Sequence, residues 1–343
     1  MELAKEVMEI PVFIGNSRVD FREKEVPVPG PGQLLIQVKA NALCGSERNQ
    51  FFDGSKVTPG HEASGMVMAV GEDTKTVVGT PGVIFLMDYC GVCRNCQSGN
   101  TNQCQEKRGD YGFNKDGGYS PYIVVNESVF FPIDPSIPLT EATMLLDIMG
   151  TGGHAIKRAE LVHPDIRSVL IAGAGPIGLG VLAMCQLLLG KKVPVYIMDY
   201  VSYRLDLAEK LGAIPIDLNE SSLEDALKRV NCKGVDAAFD TSGKTAARKS
   251  VLNALNQRGV LVCIGHGQEL HLEVSHDLIA TERAVLGSEY FQYNELERNN
   301  RLLKENLAYM QQIITHRFNV KDIQHAFELF FMGNTGKVII EHA

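Results

Sequence analysis

The stretch 169–199 limits what this chain can fold into more than any other. A run of β-formers, Val169-Leu170-Ile171-Ala172, leads into GAGPIG at 173–178. A helix-length apolar segment then runs to Leu189, followed by Val195-Tyr196-Ile197-Met198-Asp199. Strand, glycine turn, helix and strand make one βαβ unit. Gly173 permits the tight turn, Gly175 lets the backbone approach a pyrophosphate, and Gly178 lets the helix pack close to the strand. With Pro176 and Ile177 completing the turn, the freed N–H groups and the positive helix end hold the phosphates. Asp199, 21 residues past Gly178, ends the second strand, where a carboxylate accepts from an adenosine ribose 2′-OH. The same carboxylate repels a 2′-phosphate, and Tyr200 follows where a phosphate clamp would want Arg or Ser. NAD is therefore expected over NADP, with Arg204 near enough to reach the adenosine.

A length of 343 residues suggests two domains with full cores. Residues 1–150 read as strands and turns, with strands expected at 34–40, 64–70, 82–87 and 122–125. Residues 151–287 alternate strand and helix. Ser202 is expected to cap a helix carrying Leu205, Ala208 and Leu211 on one face, with Gly212 ending it. Further strands are expected at 213–216, 235–240 and, after a stop at Gly259, 260–264. This pattern implies an α/β fold with a parallel, doubly wound sheet. Residues 288–343 return to mixed structure, with a helix at 323–330 and a strand at 338–340. Net charge is −8 with no Lys/Arg-rich stretch, which argues against nucleic acid or an anionic membrane as partner. The start, MELAKEVMEIPVF, lacks a signal-peptide core. The nearest approach to a membrane span, 169–190, is broken by glycines and Pro176. A cytoplasmic protein is expected.

Eight cysteines are spread unevenly, four of them as Cys90, Cys93, Cys96 and Cys104 in the spacing C-x2-C-x2-C-x7-C. Two-residue gaps curl successive sulfurs around one ion, and the longer gap closes the tetrahedron. Four thiolates leave no open position, so this lobe, about 88–106, is expected to hold a structural zinc. An iron–sulfur cluster is the alternative, which spacing and context disfavour. Cys44 in LCGSE and His61-Glu62 in PGHE are candidates for a second metal site. A lone cysteine is ordinarily a small hydrophobe. The adjoining glycines, the acid after His61 and the cysteine run downstream favour a ligand role.

In order and spacing, CGS, GHE, the four-cysteine run and GAGPIG resemble the zinc-dependent medium-chain dehydrogenase/reductase superfamily, which includes alcohol, polyol and threonine dehydrogenases. The likeness continues through DTSG at 240–243, LGS at 286–288 and GKVII at 336–340. It implies a GroES-like, mostly β catalytic domain (1–150 and 288–343) split around a Rossmann NAD-binding domain (151–287). It also implies two Zn²⁺ ions per chain. The third protein ligand of the catalytic zinc falls on Asp147 in LLDIMGTGGHA, the alternative being a helix-capping acid. With the Cys44 thiolate it neutralises the ion, and a neutral His61 adds no charge. Glu62 would lie behind the metal, either entering its coordination or hydrogen-bonding near it. Zinc would lower the pKa of a substrate hydroxyl, Ser46 would take the proton, and hydride would pass to NAD beside Thr151; His154 is read as structural.

The implied substrate is a small secondary alcohol, of polyol, sugar-like or amino-cyclitol type. Alternatives are an NADP(H)-dependent carbonyl reductase of the same fold, or a non-catalytic nucleotide-binding regulatory protein. The family forms homodimers and homotetramers through the edge of the cofactor sheet, where 284–291 is apolar enough to serve. Three positions depart from the family pattern. Asn49 replaces a His common in relatives and cannot titrate. Glu47-Arg48 stand where an Asp is usual, either at the pocket mouth or facing solvent. Pro121, in GGYSPY, replaces a frequent glutamate. Phe51, Phe113 and Phe291 are candidate pocket walls.

Overall fold

The computed structural model describes residues 6–342, which fall into two compact units. One takes the chain up to Leu146, Gln292–Met332 and Lys337 onward; the other takes Asp147–Phe291 and Gly333–Gly336. Nothing in the local sequence marks Gly333–Gly336 as part of the second unit.

The first unit is organised on the strand Gln33–Ala42, whose Leu34, Ile36, Val38 and Ala40 are fully buried, the period of two that puts alternate side chains on one face. One edge carries Ala63–Val70, then Pro81–Ile84 and Phe130–Pro132, each antiparallel to its neighbour. The other edge is shared by Tyr122–Asn126 and Lys337–Glu341, and Ile314–Asn319 runs parallel to the latter. A hairpin, Val7–Gly15 with Arg18–Glu25, stands outside this seven-stranded sheet. Phe13, Phe51, Tyr119 and Phe327 form a buried aromatic cluster, with Phe51 stacked on Phe327 at 5.1 Å between ring centres. Phe51 is thus a core residue and not a pocket wall. The helix Glu295–Glu305 lies where the sequence pattern indicates only mixed structure, and it buries Leu296, Asn299 and Leu303 on one face.

The register of this sheet fixes the functional geometry. Asn41 pairs with Ala63, and the Ala42 N–H donates to Glu62 O at 3.2 Å. Ile339 pairs with Ala42, and the Leu43 N–H donates to Val338 O at 2.9 Å. Cys44 follows one strand, His61 and Glu62 precede the next, and Lys337 opens a third. The sheet therefore delivers them side by side.

In the second unit six parallel strands run in the order Ile214–Asp217, Val195–Asp199, Val169–Ala172, Val235–Asp240, Leu255–Cys263, Ala284–Gly287. The order reverses between Val169–Ala172 and Val235–Asp240, the switch point at which open α/β sheets bind ligands. The helix Pro176–Leu188 starts with proline in its first turn, where a missing N–H costs nothing. Gly173 has φ +98°, and a Cβ on Gly178 would lie 1.9 Å from Gly173 O.

Three local expectations change. Ser202 does not cap its helix: Val201 holds that position, and Asp199 Oδ1 accepts from the N–H groups of Tyr200 (2.7 Å) and Val201 (3.0 Å) just ahead of it. Gly259 lies inside a strand that begins at Leu255. A register shift between Val235 and Ala237 lets that strand pair at Leu255 and again from Val260. Phe291 is fully buried, beside Tyr290 and against Gly150, and so is no pocket wall. Among the described residues no helix is long and apolar enough to cross a membrane.

Gly178→Ala should force the helix from its strand at a cost of about 1–3 kcal/mol. The check is a lowered thermal midpoint together with weakened nucleotide binding; an unchanged midpoint would show that the turn can yield.

Candidate active site and cofactor cradle

Cys44, His61, Glu62 and Asp147 are all buried, and their ligand atoms lie within 4.8 Å of one another. Asp147 is bonded directly to Leu146 and opens a wide turn of π-helical type, Asp147–Thr151, a geometry that recurs at functional sites. One thiol, one imidazole and two carboxylates in so small a buried space suit a divalent cation with nitrogen, sulfur and oxygen ligands, as zinc is. Without a cation the two carboxylates and a thiolate would repel one another, so the donor chemistry fits the ion.

The residues behind these donors were only partly anticipated. Glu47 does not face solvent or a pocket mouth. It is fully buried, and its Oε1 accepts from His61 Nδ1 at 2.9 Å. Because a carboxylate only accepts, the Nδ1 carries the proton, and Nε2 is left with the lone pair a metal needs. Glu47 Oε2 accepts from the Tyr119 hydroxyl at 2.7 Å and from the Cys44 N–H at 3.4 Å. Arg48 does face outward, its guanidinium over the rings of Phe52 (4.5 Å) and Phe331 (5.4 Å). Phe113 is partly exposed and lies 5.0 Å from the His61 ring. Ser46 is exposed, and Thr151 and His154 are buried.

Lys337 donates to Glu62, both side chains being fully buried. Removing two charges from water is costly unless they pair. The pair also divides the local charge: Lys337 balances Glu62, and a divalent ion held there would balance Cys44 and Asp147. Lys337 had one signal in the sequence, a lone cation opening the apolar run VII.

In the second unit Asp199 Oδ2 accepts from the Ala174 N–H at 2.7 Å, tying the glycine turn to the end of the strand. With two more N–H groups on Oδ1, three of the roughly four lone-pair directions of a carboxylate are used, and one remains for a hydroxyl. Beside it opens a cavity of about 560 Å³ lined by Gly173, Asp199, Tyr200, Ser242, Lys244 and Gln268. A Cβ on Gly175 would meet no protein atom closer than Arg204 Nη1 at 3.8 Å. That open space is what close passage of a pyrophosphate requires, so the cradle fits a dinucleotide. Arg204 Nε also donates to Gly333 O at 2.7 Å.

Cys90, Cys93, Cys96 and Cys104 form the other set of converging donors. Cys90 and Cys93 N–H groups donate to Cys104 and Cys90 sulfurs, both at 3.3 Å. N–H groups of Cys96 and Gln105 bring the Cys93 thiol down to about 6. Burial, with hydrogen bonds to the neighbouring thiols, pushes Cys96 up to about 12. Four thiolates coexist here only around a cation. At the root of the lobe, burial would raise the Asp88 carboxyl, but hydrogen bonds from Lys115, Asn126 and Arg108 hold it below its ordinary value.

Residues 30–135 match the alcohol dehydrogenase GroES-like domain family and residues 176–305 the zinc-binding dehydrogenase family. The chain is 31% identical over 332 residues to the L-threonine 3-dehydrogenase of Shewanella sp. (strain W3-18-1), covering 92% of this chain and 93% of that one. Its fold matches an alcohol dehydrogenase of Escherichia coli CFT073 complexed with NADH, with a TM-score of 0.89, 22% identity, and 98% and 99% of the two chains covered. It also matches galactitol-1-phosphate dehydrogenase from Escherichia coli, with a TM-score of 0.86, 25% identity, and 97% and 100% covered. The chain belongs to the zinc-dependent medium-chain dehydrogenase/reductase superfamily. It is an oxidoreductase of the zinc-type alcohol dehydrogenase family, with a Rossmann unit and a GroES-like domain.

Lys337→Met leaves the Glu62 charge buried without its cation, and a loss of about 3–5 kcal/mol is expected. Urea unfolding measures it, and Lys337→Met with Glu62→Gln should recover most of the loss. Equal stability of Lys337→Met and the parent chain would refute the pairing argument.

Proposed function

We propose that the chain is a two-zinc, NAD-linked dehydrogenase that oxidises a secondary alcohol of the polyol, sugar-like or amino-cyclitol class to its ketone. The observation that carries this reading is the buried set of Cys44, His61, Glu62 and Asp147. Four such donors, none of them in a disulfide, have little reason to converge except around an ion. When bound, zinc supplies a Lewis acid that makes a substrate hydroxyl easier to deprotonate, and NAD supplies the hydride acceptor.

The chain's own groups do the rest. Glu47 holds His61 in the tautomer that ligation needs. Glu62, charge-balanced by Lys337, stands ready beside the three ligands. Ser46 takes the proton from the substrate hydroxyl and passes it to water, since Asn49 cannot carry it. Phe113 supplies an apolar wall next to His61. Asp199 accepts from the adenosine ribose, Arg204 lies beside the adenosine, the 173–178 turn receives the pyrophosphate, and Thr151 contacts the nicotinamide. The polyol reading is supported by the carboxylate at Asp147, and the relative that acts on a phosphorylated polyol is in keeping with it. With its reduced thiols the enzyme is assigned to the cytoplasm.

Metal analysis should find two zinc ions per chain. Cys44→Ala should lose one ion and all turnover while keeping the other; one ion in the parent chain would favour a binding protein. In initial-rate assays, polyols should outpace simple primary alkanols, and the reverse order would reject the substrate class. Asp199→Ala should narrow the NAD over NADP preference by about tenfold, ~1.4 kcal/mol, and an unchanged ratio would reject the ribose assignment.

Copies of the chain are assigned to pair through Ala284–Gly287. Among the described residues this edge strand pairs with no strand but Leu255–Cys263, although Arg158 Nε donates to Gly287 O at 3.1 Å, and an open edge is a template for pairing. Light scattering should give an even number of subunits, and Val285→Pro should yield monomers.

A further inference from the structure

We infer that Tyr119 is a positioning residue of the metal centre: its hydroxyl fixes Glu47, and Glu47 fixes the ring of His61. The inference rests on the zinc reading proposed above and names a residue that reading does not use.

Glu47, which stands where an Asp is usual, prompts it together with Tyr119 in GGYSPY, 72 residues further on. Glutamate has one more rotatable bond than aspartate. A glutamate behind His61 can therefore hold its carboxylate in several places unless both oxygens are engaged. Here both are, Oε1 by His61 and Oε2 by the Tyr119 hydroxyl and the Cys44 N–H. Glu47 and Tyr119 are each fully buried, so bulk water does not replace a lost donor. The Tyr119 ring is itself held, stacked on Phe13 at 6.0 Å and edge-on to Phe327 at 5.7 Å. Its backbone is sewn to the residues just before His61: the Tyr119 N–H donates to Pro59 O at 3.1 Å and the Gly118 N–H to Gly60 O at 2.7 Å. Burial and the Glu47 charge keep the phenol protonated, well above its ordinary range, so it remains a donor.

Tyr119→Phe keeps the ring and its packing and removes only the hydroxyl. The zinc-loaded parent and variant are mixed with 4-(2-pyridylazo)resorcinol, and release is followed as two phases, one from each donor set. In Tyr119→Phe one phase should quicken about 10–100-fold, the usual effect of losing a partner behind a ligand, while the four-thiolate phase stays as it was. In a Glu47→Asp background the hydroxyl should matter less than about twofold, because the shorter carboxylate cannot reach both partners. Unchanged release in Tyr119→Phe overturns the inference and leaves the zinc reading intact. So does equal quickening of both phases, which would indicate general loosening. A parent chain that releases a single ion overturns the zinc reading itself.

Discussion

Cys44, Glu62 and Asp147 are acids, and the fold buries all three within one small space. Concentrated negative charge away from water is the least tolerable thing a protein interior can contain unless cations meet it. Much of the first unit can be read as the answer to that problem. Gln33–Ala42 and its neighbours Ala63–Val70 and Lys337–Glu341 bring Lys337 to Glu62, and the remaining charge is of the size and donor type that zinc satisfies. The Glu47 carboxylate behind His61 adds a further acid, met by hydrogen-bond donors and not by a cation.

The two halves of the function are built by different kinds of local structure. The proposed dinucleotide recognition rests on one turn. Gly173, Gly175 and Gly178 act within six residues, and Asp199 joins them through a single hydrogen bond to Ala174. The metal set instead depends on sheet register. A slip of one residue between Gln33–Ala42 and Ala63–Val70 would turn side chains to the opposite face and separate Cys44 from His61. The four-cysteine lobe resembles the turn in this respect, since its cysteines lie within 15 consecutive residues.

That difference explains what could be read before the coordinates. GAGPIG, the strand ending in Asp199 and the cysteine spacing are short-range patterns whose chemistry is complete locally, and they were legible. Cys44 and His61 stood out through the glycines and the acid beside them, but only family likeness joined them to Asp147, because no spacing rule links residues about 17 and 86 positions apart. Glu47 was read as a rim or surface residue, since a glutamate beside an arginine normally is one. Only the aromatic cluster at Phe13 and Tyr119 shows why it turns inward. Phe51 and Phe291 were misjudged for a related reason: aromatic residues fill cores as readily as pockets. Ser202 lost its capping role to Asp199, whose two oxygens serve the turn before it and the helix after it at once.

The pairing of Lys337 with Glu62 has a consequence for biogenesis. A ribosome that has delivered the first 150 residues has already emitted Cys44, His61, Glu62 and Asp147, but not the lysine that balances Glu62 nor the strand that lies alongside Leu43. At that stage the acids of the cluster lack the one cation the chain itself supplies, and the sheet lacks one strand. Arrival of the C-terminal strand would both supply that cation and close the sheet.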